Sequence, residues 1–77
     1  MSEFTKEAIH AYAKTLKHPV HMLVLHARAW AKIDSKMPVV LTIGEMLIEG
    51  IGTKRRMLEI ERLFIEVAAE IATGEVG

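Results

Sequence analysis

Four basic side chains, Lys54, Arg55, Arg56 and Arg62, follow the glycines of "EGIGTKRR". They are the residues of this sequence best fitted to chemistry with an anion. Arginine matches the two acceptors on a guanine edge, O6 and N7. A helix N-terminus adds free N–H groups and a favourable dipole for phosphate. Thr53 stands where an N-cap is expected, so Thr53, Lys54 and Arg55 would occupy the opening turn of a helix. Arg56 and Arg62 would then lie near phosphates. Further along the same helix, Glu59, Glu66 and Glu70 would repel phosphate, which confines a contact with DNA to the first turn and a half.

Other chemistry has less support. His10, His18, His21 and His26 fall within seventeen residues, and neutral imidazole is a common metal ligand. The His18–His21 pair, however, has no carboxylate three or four residues away, so no metal site is expected. There is no Cys, Ser occurs only at positions 2 and 35, and the glycines at 44, 50 and 52 do not form a phosphate loop. No catalytic residue and no cofactor are expected. His26 falls inside an apolar arc and reads as a core or interface histidine bonded to a carbonyl. If a subunit interface buried it, protonation would loosen that interface.

These residues need elements to position them, and the apolar spacing predicts four helical segments. The first, about 3–17, is capped by Ser2 or Thr5 and buries Phe4, Ala8, Ile9, Tyr12, Ala13 and Leu16 at helical spacing. The second, about 19–33, opens with Pro19, a residue suited to the first helical position. Its polar side chains His21, Arg28 and Lys32 fall on one narrow strip, and apolar residues cover most of the rest. An arc that wide belongs to a central helix or a dimer interface, with Val20, Leu23, Ala27 and Trp30 as the interface residues. The third, about 43–49, follows from a capping box in "TIGE", where Thr42 and Glu45 would cap each other's N–H groups. Gly50 would end it, and the preceding "PVVL" allows a short strand at 38–41. The fourth, about 53–72, has the clearest period, with Met57, Ile60, Phe64, Val67, Ala68 and Ile71 on one face. Arg55–Glu59 and Arg62–Glu66 are spaced as i,i+4 pairs on the other.

The fold class expected is therefore all-α, a single four-helix domain over residues 1–77. Its third and fourth helices have the layout of a helix-turn-helix, in which the second helix enters the major groove. "LKHPVHMLVL" followed by "LTIGEMLIEGIGTKRRMLEIERL" resembles the core of bacterial winged-helix transcriptional regulators over residues 16–63. The resemblance implies DNA binding as a dimer, carried by the segment beginning "GTKRR". Winged helices follow the recognition helix with a β-hairpin, whereas "FIEVAAEIATGEVG" keeps helical period to Ile71, so the wing is expected to be missing.

Composition bounds these expectations. Seventy-seven residues make one small domain, and half of them are hydrophobic. Short chains have proportionally more surface, so a homodimer is expected. Ten Lys and Arg balance ten Asp and Glu, so any DNA contact must come from a local patch. The start lacks a charged region followed by an apolar run, and "VVLTIGEMLIEGIG" is too short to span a bilayer. A cytoplasmic protein away from membranes is expected. The rival to a DNA-binding regulator is a helical interaction module that binds and modulates a larger host or partner protein.

Overall fold

A computed structural model describes residues 2–32, 39–44, 46–50 and 54–74. The elements run β1 (Ser2–Glu3), α1 (Lys6–Ala13), α2 (Pro19–Ala31), β2 (Val39–Ile43), β3 (Met46–Gly50) and α3 (Lys54–Thr73). β2 and β3 form an antiparallel hairpin, and the two-residue β1 pairs in parallel with β3, giving the sheet order β1-β3-β2. The result is an all-α domain of three helices carrying a short hairpin, not the four-helix domain expected from the sequence.

The correction falls on the third segment. Ile43 and residues 46–49, expected within a capped helix, belong instead to the two strands of the hairpin. Ile43 lies opposite Met46, and Gly44 stands at the turn between them. Gly44 has φ +61, a backbone region that glycine enters without steric cost and that two-residue hairpin turns demand. Thr42, expected as a helix cap, is thus a strand residue opposite Leu47, its expected partner Glu45 lies outside the described residues, and Gly50, expected as a helix terminator, pairs with Val39 across the ladder. Seven helical residues would have been too few to offset nucleation. As a strand, the same segment buries Met46 and Ile48 on one face, with the half-buried Leu47 between them. The strand expected at 38–41 is present from Val39 and runs on to Ile43. With the third helix gone, the helix-turn-helix of residues 43–72 is gone too.

The other segments keep their type and change their bounds. α1 starts three residues later than expected because Thr5 caps it, its Oγ1 accepting from the Ala8 N–H at 3.1 Å. α1 ends at Ala13, and Lys14 to His18 form the link to α2. α2 opens on Pro19 as the sequence requires. α3 holds its period for five turns and ends on Gly74, which takes φ +75.

All three helices and the hairpin close on one core. Phe64, Ile60 and Val67 of α3, Leu23 of α2, Ile9 of α1, and Met46 and Ile48 of β3 are fully buried. Phe4 packs against Phe64 with ring centroids 5.0 Å apart. Tyr12 closes the top of this core beside the hairpin tip: a Cβ added at Gly44 would come within 2.9 Å of its Cδ1.

Candidate functional site

The basic residues singled out in the sequence are dispersed along α3. Thr53 lies outside the described residues, and Lys54 is the first residue of α3. The Arg55 side chain is 92% exposed, with its Nε 3.9 Å from Glu59. Arg56 is half-exposed and reaches the other oxygen of the same carboxylate at 3.6 Å. One glutamate therefore draws on both arginines, and phosphate would compete with it. Arg62 is exposed. Its expected partner Glu66 faces α1 instead, with the carboxylate 3.7 Å from Lys6 Nζ.

A second set of cations, weighted less in the sequence, is better placed. The span from Ala8 to Ile33 contains Lys14, Lys17, Arg28 and Lys32 and no Asp or Glu. The fold puts residues 8–32 of this span on α1 beyond Glu7, the link, α2 and its C-cap Lys32. His21, Arg28 and Lys32 recur at seven and four residues, within about 40° of one another on a helix of 3.6 residues per turn. All three are exposed. Lys17 and His18, just before Pro19, are exposed as well. Among the described residues, none of Lys17, Arg28 and Lys32 is paired with a carboxylate. The Leu25 side of the strip, 40% exposed, adds an apolar contact. The signal is legible in the sequence as a 26-residue run without acid, residues 8–33, and not as any single motif.

The opposite side of α2 is committed to the core. Leu23, Ala27 and Trp30 are buried within the chain, and Val20 is half-buried against them. These four were expected to face a second subunit. In this fold they face α3 and the rest of the core, so any partner surface on α2 consists of the cationic strip.

The histidines divide by role. His18 and His21 are exposed at the start of α2. His10 Nε2 donates to Glu70 at 2.9 Å, and Lys6 binds the same carboxylate, so α1 is held to α3 by a three-membered polar bridge. Hydrogen bonding from Lys6, and next from His10, lowers the Glu70 pKa below the ordinary carboxylate value; the Glu70 contact in turn raises that of Lys6. His26 is half-buried, 5.6 Å from the Phe64 ring, and its Nε2 is hydrogen-bonded to the Tyr12 hydroxyl at 3.0 Å. Its partner is therefore a side chain, not the carbonyl expected. Burial lowers its pKa below the usual imidazole value.

Among the described residues, no group of three or more His, Asp or Glu could hold a metal ion. No helix among them is long and apolar enough to cross a membrane. Between α1, the start of α2 and the end of α3 lies an open cavity of about 260 Å³ lined by His10, Ala13, Lys14, Pro19, Ile71 and Gly74. No protein-family model, curated protein or solved structure matches the chain.

Proposed function

We propose that this chain is a small DNA-binding protein that meets the phosphate backbone with the exposed strip of α2. The observation that carries the reading is His21, Arg28 and Lys32 aligned and exposed on a helix that contains no carboxylate. Phosphate neutralisation supplies most of the affinity of non-specific binding, and a locally basic helix achieves it despite zero net charge. The basic start of α3 is then an auxiliary contact, weakened by Glu59.

The test is fluorescence anisotropy with a labelled random duplex at low salt. Binding should weaken linearly in log[salt], by about 0.9 log units per tenfold salt for each phosphate contact. Arg28→Ala with Lys32→Ala should reduce affinity more than Arg55→Ala with Arg56→Ala. Absence of binding at low salt, or loss confined to the α3 pair, would refute the assignment. A second reading, an interaction module acting on a larger protein, is favoured by Leu58 and Ile65, which α3 leaves exposed.

A further inference from the structure

α3 carries two apolar faces. One, built from Met57, Ile60, Phe64, Val67 and Ala68, fills the core. The other carries Leu58 and Ile65, 51% and 43% exposed, which are large apolar side chains seven residues apart. Ala69 and Ala72, both exposed, continue the same strip. Seven-residue spacing keeps side chains on one seam of a helix pair, and alanines let two backbones approach.

We propose that this seam pairs antiparallel with α3 of a second copy of the chain. Charge and side-chain size together decide the occupant and the direction. Arg62 borders the seam, is exposed, and has no carboxylate partner among the described residues. Glu66, between the seam and α1, is 44% exposed in its side chain, and its 3.7 Å contact with Lys6 leaves the carboxylate open to a second cation. Positions 62 and 66 are symmetric about residue 64. A two-fold axis beside residue 64 therefore sets Arg62 of each copy opposite Glu66 of the other and forms two ion pairs. It also lays Leu58 of each copy over Ala69 and Ala72 of the other, a large side chain against small ones. A parallel pair would instead oppose Leu58 to Leu58 and Ala69 to Ala69, large to large and small to small, and would set the two Arg62–Glu66 flanks on opposite sides of the seam. Self-complementarity of this kind characterises two-fold contacts.

The seam is short and half alanine, so it buries less than the roughly 1,600 Å² of a standard interface. The dimer is accordingly concentration-dependent, with a dissociation constant on the order of micromolar or weaker.

Sedimentation equilibrium of the full chain between tens of micromolar and about one millimolar tests this. The expected result is a monomer–dimer equilibrium that Leu58→Glu with Ile65→Glu abolishes. Both positions are exposed, and an unchanged far-UV circular dichroism spectrum would verify that the variant folds. The charge order gives an independent readout. Arg62→Glu should weaken the dimer about tenfold or less, as should Glu66→Lys, and combining them should restore it. A chain monomeric throughout would overturn the proposal and leave the seam to a different protein. A dimer insensitive to Leu58 and Ile65, or not rescued by the charge swap, would overturn it as well.

Discussion

The Tyr12 hydroxyl lies 3.0 Å from His26 Nε2, across the gap between α1 and α2. A phenol hydroxyl can donate or accept, so it pairs with Nε2 in either tautomer of the ring. Removing the hydroxyl keeps the ring packing and deletes the bond. Tyr12→Phe is expected to cost about 1 kcal/mol. In urea unfolding this appears as a lower midpoint with an unchanged slope. An unchanged midpoint would show that the bond contributes nothing to stability.

Acid should act on the same pair. Burial lowers the His26 pKa in the folded chain below the ordinary 6.5. As pH falls through 6.5 the unfolded chain takes up the proton first, so acid favours unfolding. This stabilisation is whole above that pH and declines as pH falls toward the folded-state pKa. Thermal melts at pH 7.5 and 5.5 should show the drop, and His26→Gln should flatten it. An equal drop in the variant would place the acid sensitivity elsewhere.

Glu70 responds over a lower range. Lys6 and His10 depress its pKa below 4.5, so its contribution is present above that value and is lost as pH falls through the folded-state pKa. Glu70→Gln should therefore lower the melting temperature at pH 7 but leave it close to wild type at pH 3. Because the bridge is exposed to solvent, added salt should narrow the difference at pH 7. A salt-independent difference would point to packing.

Gly44 holds the hairpin tip under Tyr12. Gly44→Ala meets two obstacles, a φ of +61 and a Tyr12 ring atom 2.9 Å from the new methyl. The expected loss is about 1–3 kcal/mol, read from urea unfolding. Pairing it with Tyr12→Ala should recover part of the loss relative to Tyr12→Ala alone, because the clash disappears and only the backbone strain remains. Strict additivity would refute contact between the two sites.

Much of this architecture was legible in the sequence, for identifiable reasons. α3 was visible because five turns of apolar spacing leave no other periodicity available. α2 was visible because Pro19 opens a long run without a breaker. The hairpin was misread because "TIGEMLIEG" satisfies a capping-box pattern as well as a turn. Pairing with β1 and burial of Met46 and Ile48, both non-local, favour the strand. The interface assignment on α2 went astray for a related reason. A wide apolar arc records how much of a helix is covered without saying which neighbour covers it, and α3 covers Leu23, Ala27 and Trp30. The cationic strip was visible as a period, yet its importance rests on the absence of acid from Ala8 through the whole of α2.

Phe4 and Phe64, whose tilted rings meet at 5.0 Å, stand sixty positions apart. That distance along the chain governs how the protein comes into being. A growing polypeptide cannot close this contact until most of α3 has been made. Until then α1, α2 and the hairpin lack the residues that cover their apolar sides. Long-range closure carries an entropic cost that local contacts avoid, so no stable half-protein forms on the way. Folding waits for the last helix, and during that wait the apolar faces of a half-hydrophobic chain lie open to chaperones and to other nascent chains.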